Sequence, residues 1–215
     1  MNATMTKAVT PLPSPGKREL QKEARRIAII DAALEEFTAQ GFTATKLDDV
    51  AERAGIGKGT IYLYFDSKES LFEEVVRRNL LGGEEMIENF ITAFDGSTSD
   101  LLAAHFRGMY NFMKNEKIPP LVAMVLGEAV RFPSLSRFFH DEVIKQSQDV
   151  MHRIIQRGVD CGEFRKEASE VYSQFLIAPV LIGALWKLQF NAIAPIDMAD
   201  YSEKHIDFIL RALKA

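Results

Sequence analysis

Residues 45–72 read TKLDDVAERAGIGKGTIYLYFDSKESLF. The spacing predicts two short helices that cross steeply. Leu47, Val50, Ala51 and Ala54 share an inner face on the first, and Ile56 and Ile61 fill the space between the two. Ala51 is small enough for the next helix to approach closely, and Gly55 permits the positive φ of a tight turn. With those positions inward, Lys58, Thr60, Tyr62 and Tyr64 are left to project outward. A lysine neutralises phosphate, while threonine and tyrosine hydroxyls bond phosphate oxygens or base edges. A short helix so decorated suits a major groove, read with its N-terminal residues.

The flanks extend the helical reading. Ile27, Ile30, Leu34 and Phe37 recur at steps of three and four, predicting a helix over about 20–39 that Gly41 ends. Thr45 is expected to open the second helix, with Asp48 at capping-box spacing. Gly55 stops that helix, and a third runs over about 57–64. Asp66 or Ser67 caps a long fourth helix reaching toward Phe94, interrupted at Gly82-Gly83, a soft or close-packed point. Further helices are expected at about 99–115, 119–130, 135–159, 168–190 and 199–213, separated by Pro119-Pro120, Pro133-Ser134, the Gly158–Gly162 turn and Pro195. Strand-like alternation and internal repeats are absent. Residues 1–16, with three prolines between 11 and 15, predict a flexible arm extending to about residue 19. The basic tract from Lys17 to Arg26 reads either as a solvated run or as an arm along phosphates.

Bulk properties bound the function classes. The chain has 215 residues, 47% hydrophobic and 26% charged, enough to bury a sizeable core. Its net charge of −4 does not announce a nucleic-acid binder. Residues 1–68, however, hold ten Lys and Arg against nine Asp and Glu, so the acidity belongs to the remainder. The lone Cys161 permits no intrachain disulfide and fits a reducing cytoplasm, as a small core hydrophobe. The start does not resemble a signal peptide, because Asp31, Glu35 and Glu36 interrupt the apolar residues. The run from Phe175 to Trp186 contains Pro179 and Gly183 and is too short for a membrane span. His105, His140, His152 and His205 are too scattered for a metal signature, and neither a nucleophile–base pair nor a phosphate loop can be assembled. No metal, cofactor or catalytic residue is therefore expected.

The stretch 45–72 resembles the N-terminal domain of the TetR (tetracycline-repressor) family, closely so across residues 24–75. The family shares a small-x-x-x-Gly turn, a Lys-Gly-Thr-aromatic recognition helix and a following Ser-Lys-Glu. Gly57 departs from it, since many members carry Ser or Thr there. EAVRFPSLSRFF (128–139) and RGVDCGEFR (157–165) resemble pieces found in many members. The resemblance implies an all-α protein with a three-helix helix-turn-helix domain over 20–70 (motif 46–65) and a larger helical effector-binding and dimerisation domain over 71–215. It implies that Thr45, Lys46, Tyr62, Tyr64 and Lys68 grip phosphates while Lys58, Gly59 and Thr60 approach bases.

It further implies that several of Phe94, Phe106, Met109, Tyr110, Met113, Met124, Phe138 and Trp186 wall a largely apolar pocket for a hydrophobic or aromatic effector. The helix from Phe175 to Phe190, with Pro179, Ile182, Gly183 and Trp186, is apolar nearly all round, more than one small domain can cover. With the stripe Ile206, Ile209, Leu210 and Leu213 it reads as a four-helix dimer surface. A two-fold homodimer suits a palindromic operator, which the free protein is expected to block and an effector to release. Two rivals were weighed: an enzyme on a helical bundle, distinguished by turnover without DNA binding, and an architectural DNA binder, distinguished by lack of preference for a palindrome.

Overall fold

The computed structural model describes residues 16–81 and 84–215, and their side chains except at 84–88. The expected arm before Gly16 and the Gly82-Gly83 interruption lie outside the described residues. Eleven α-helices appear among them: α1 (Lys17–Ala44), α2 (Leu47–Arg53), α3 (Lys58–Ile61), α4 (Lys68–Leu80), α5 (Glu84–Ala93), α6 (Thr98–Phe112), α7 (Ile118–Glu128), α8 (Pro133–Phe139), α9 (Lys145–Asp160), α10 (Ser173–Gln189) and α11 (Met198–Leu213). No strand is present among the described residues, only one isolated bridge between Phe164 and Lys214. The all-α expectation holds. Helix α1 already begins at Lys17, so residues 17–19, expected in the arm, are helical.

Two buried clusters organise the chain. The first gathers Ile29, Ile30, Leu34 and Phe37 of α1 with Phe42, Val50, Ala51, Ile61, Phe65, Leu71, Phe72, Val75 and Val76 of the head. It also takes Leu121, Val125, Leu135 and Phe139 from α7 and α8. The expected boundary at residue 70 therefore cuts through a continuous core, because α4 packs its inner face on α1 before leading away. Ion pairs reinforce this seam. Arg53 pairs with Glu35, which also meets Lys117, just before α7, at 3.3 Å, and Arg26 pairs with Glu74 of α4.

The second cluster joins α6, α9, α10 and α11 through Leu101, Leu102, Phe106, Tyr110, Ile154, Phe164, Val180 and Ile209. Between the two, the chain expected to run as one helix over 135–159 is divided. Pro133 starts α8, a π-helical turn spans His140–Ile144, and α9 follows. The widened turn lies where the chain passes from one cluster to the other.

Helix α6 is held at its start by two caps. The Ser97 hydroxyl accepts from Asp100 N–H, and Glu163 accepts from the N–H groups of Thr98 and Ser99 at 2.7 and 3.0 Å. Partial burial pushes the Glu163 pKa up, but the Thr98 and Ser99 N–H bonds, helped by Cys161 and the Ser99 hydroxyl, outweigh it and hold the carboxyl at about 2. Cys161, expected in the core, is exposed beside this cap. Because the folded value lies below the ordinary 4.5, the bond stabilises fully above pH 4.5 and is lost as pH falls toward 2. Glu163→Gln is expected to cost about 1 kcal/mol at neutral pH and to flatten that acid-side loss. Urea melts at several pH values check this, and superimposable curves would refute the cap.

Candidate nucleic-acid interface

Helices α2 and α3 are joined by the turn Ala54–Gly57. Gly55 takes φ +66°, and the Ile56 N–H donates to the Ala51 carbonyl at 3.0 Å, which fixes the crossing. Val50, Ala51 and Ile61 are fully buried beneath it, and Phe65 seals the far end. These anchors turn the opposite face outward. Tyr62 is 53% exposed, and Lys58, Gly59 and Lys46 are exposed, while Thr60 and Tyr64 are half-buried. A side chain added at Gly59 would meet nothing, so the backbone there presents an open surface.

Leu63, which the pattern did not mark, is 78% exposed beside Tyr62. A leucine two places from both Ile61 and Phe65, and so on the opposite face from that inner stripe, was the available signal. Its chemistry suits a thymine methyl group. In the free protein the Lys58 ammonium rests 2.7 Å from Asp48, whose carboxylate accepts its hydrogen bond and raises its pKa. Both partners are exposed, so the pair is weak and open to exchange for phosphate. Gly57 opens α3 without a side-chain cap, as its missing hydroxyl requires.

Two expected phosphate contacts are corrected. Thr45 is buried, and its hydroxyl donates back to the Gly41 and Glu36 carbonyls instead of capping α2, whose cap is Lys46. The reversal follows from Gly41, whose φ of +81° bends α1 and leaves carbonyls in need of donors. Lys68 donates to the carbonyls of Phe42, Thr43 and Thr45 at 2.7–3.1 Å, with its ammonium over the Phe42 ring. All three ammonium protons are thereby engaged. Lys68 is a clamp between the end of α1 and the start of α4. Ser67, not Asp66, caps α4.

The second feature is a cavity of about 400 Å³ bounded by α6, α7, α9, α10, the π-helical turn and the end of α4. Of the eight residues expected there, Met109 and Met113 line it. The other six are turned elsewhere. Phe106 and Tyr110 pack in the second cluster, where the Tyr110 hydroxyl lies 2.9 Å from His205 Nδ1. Burial pushes the Tyr110 pKa up and that of His205 down, so both stay neutral. Phe94 rests on the same cluster against Phe90. Met124 and Phe138 face the head's cluster, Phe138 under the Arg77 guanidinium at 4.8 Å. Trp186 stacks near Phe190 and donates its indole N–H to Ala194. Residues the sequence did not single out complete the walls, among them Leu80, His105, Phe139, Ile144 and Ile177.

The expected dimer stripe is also divided. Ile206, Ile209 and Leu213 are buried in their own subunit's core with Leu210 half-buried beside them, and Gly183 is covered by Tyr201 and Met198. Pro179 is half-buried and its carbonyl accepts from the Tyr201 hydroxyl, and Trp186 is half-buried too. Phe175 and Ile182 of α10 stay exposed, joined by Phe208 of α11. The described residues include no cluster of three or more His, Cys, Asp or Glu side chains that could hold a metal, and no helix long and apolar enough to cross a membrane.

A helix-turn-helix head whose core merges with a larger cavity-bearing helical body is the architecture of a DNA-binding regulator. The chain belongs to the TetR family of bacterial regulatory proteins. Residues 29–75 match the family's N-terminal model, and residues 95–193 match a tetracycline repressor-like C-terminal domain. The transcriptional repressor KstR2 of Mycolicibacterium smegmatis is 26% identical over 192 residues, spanning 88% of this chain and 91% of its own. Two solved structures share the fold. FadR from Bacillus subtilis in complex with stearoyl-CoA has a TM-score of 0.70 at 18% identity, covering 87% of this chain and 98% of its own. The SmeT–triclosan complex has a TM-score of 0.72 at 22% identity, covering 89% and 92%.

Proposed function

We propose that the protein is a homodimeric, cytoplasmic repressor that holds a palindromic operator with two α3 helices and leaves it when a small hydrophobic effector fills the cavity. The observation that carries this reading is the exposed row Lys58, Gly59, Tyr62 and Leu63 on α3 and the turn after it, opposite the buried Ile61 and Phe65. Lys46, Thr60 and Tyr64 flank it and complete the contact set. Residues from Gly16 to about Leu80 form the reading head and the rest the effector and dimer body. Exposed Phe175, Ile182 and Phe208 supply the apolar surface for a second copy. The dimer would set its recognition helices roughly 34–36 Å apart, one turn of DNA. The cavity's methionines and aliphatic walls favour an apolar effector, in keeping with triclosan in the SmeT structure and with the acyl chain of the stearoyl-CoA in the FadR structure. An effector that binds better to a DNA-incompetent arrangement lowers operator affinity by population shift.

The test is affinity for a duplex that the protein itself selects from a random pool. Lys58→Ala and Tyr62→Ala are expected to weaken binding about tenfold or more while circular dichroism stays unchanged, because both side chains are exposed. Lys46→Ala is expected to lower the salt slope by about one. A selected duplex bound no better than random DNA, or intact affinity in the Tyr62 variant, would sink the assignment.

A further inference from the structure

The cavity is apolar, yet one of its walls carries a polar group that nothing in the described residues satisfies. His105 of α6 lines the space together with Met109, Met113 and Ile177. Its Nε2 is buried and has no hydrogen-bond partner among the described residues. Burial pushes its pKa down to about 4, so the ring is uncharged at neutral pH. Gln146, Ser147, Gln148, Ser173 and Gln174 also border the cavity, but none of them holds a buried, unpartnered polar atom. No Asp, Glu, Lys or Arg is among the described lining residues.

These facts act together. A buried imidazole nitrogen without a partner costs free energy that an occupant with a matching group returns. The ring torsion of histidine is broad and roughly two-fold, so a small turn presents a nitrogen to the cavity. A neutral imidazole both donates and accepts, so it recognises a hydroxyl, a carbonyl or a phenol. An ionised group entering the same space would be desolvated with no cation to meet it.

We infer that His105 is the polar anchor of the cavity and selects an uncharged, mainly apolar effector that carries one hydrogen-bonding group. This rests on the proposed role of the cavity as effector site. It goes beyond that role by fixing the ligand's charge state and the residue that reads its polar end.

Titration of the full chain with para-propylphenol, propylbenzene and para-propylbenzoate tests the inference, since the three differ only in the polar end. The phenol is expected to bind about tenfold tighter than the benzoate and the hydrocarbon. His105→Leu is expected to bring the phenol down to the hydrocarbon, and His105→Gln to restore part of the difference. Met109→Trp, which fills the cavity, is expected to abolish all three. Benzoate binding as tight as the phenol overturns the inference, a contrast that needs no variant to fold. So does unchanged phenol affinity in the His105→Leu protein while Met109→Trp still blocks binding, in which case the cavity stands and its anchor falls. Failure of all three to bind, or indifference to Met109→Trp, overturns the effector-site reading itself.

Discussion

Phe42→Ala is expected to cost about 3–5 kcal/mol and to abolish DNA binding near physiological temperature. The ring is almost fully buried and touches three others: Phe37 at 5.7 Å, Phe72 at 5.1 Å and Phe132 at 5.0 Å between centroids. It also lies under the Lys68 ammonium at 4.6 Å. Those partners belong to α1, α4 and the segment before α8, so one side chain joins the head to the body. Truncation leaves a cavity among rings that cannot all collapse inward, and it loosens the backbone carbonyl that Lys68 holds. A domain's whole stability is only about 5–15 kcal/mol, so this one loss is a large share. Phe42→Leu keeps most of the volume and is expected to cost no more than about 1.5 kcal/mol. Urea denaturation of the two variants separates them. A loss below about 1 kcal/mol for alanine would mean that the aromatic cluster is not what joins the two parts.

Gly158→Val is expected to destabilise by roughly 3 kcal/mol or more, for the opposite reason of excess volume. A side-chain carbon placed on Gly158 would come within 2.6 Å of Phe164 Cε2 and 2.7 Å of Cγ, far inside contact distance. The ring cannot retreat easily. Phe164 is buried, its N–H donates to the Gly158 carbonyl at 2.9 Å, and its neighbours Glu163 and Arg165 bond the C-terminal residues Ala215 and Leu213. Glu163 also caps α6, so moving the ring disturbs that helix start. Phe164→Leu destabilises on its own but is expected to relieve part of the valine's cost when the two are combined. A double-mutant cycle reads this as a coupling of about 1 kcal/mol or more. Strict additivity would show that the two positions do not share space.

Much of the head was legible in the sequence because local chemistry sets it. Gly55 has the φ that only a glycine adopts cheaply, and Ser67, one of the two cap candidates, caps α4 through the Ser70 N–H. Val50, Ala51 and Ile61 are inside because the helical spacing puts them there. Thr45 and Lys68 were misread because their partners are carbonyls released by the bend at Gly41, a tertiary event with no signature at either residue. The cavity was legible only at Met109 and Met113. Periodicity reports that Phe106, Met124 and Phe138 are inside, but it does not say which of two cores each one faces. His105 read only as one of four histidines too scattered for a metal site, because nothing near it in the sequence shows whether its ring nitrogen finds a partner.

Phe139 is counted in the head's buried cluster and also lines the cavity, and Leu80, Val143 and Ile144 likewise touch both. The head's core and the cavity therefore share a partition made of these four residues and only one side chain thick. Under the proposed function, a guest in the cavity would press directly on that divider, and by reciprocity a head held on DNA would resist the guest with the same free energy that the guest uses to loosen the head.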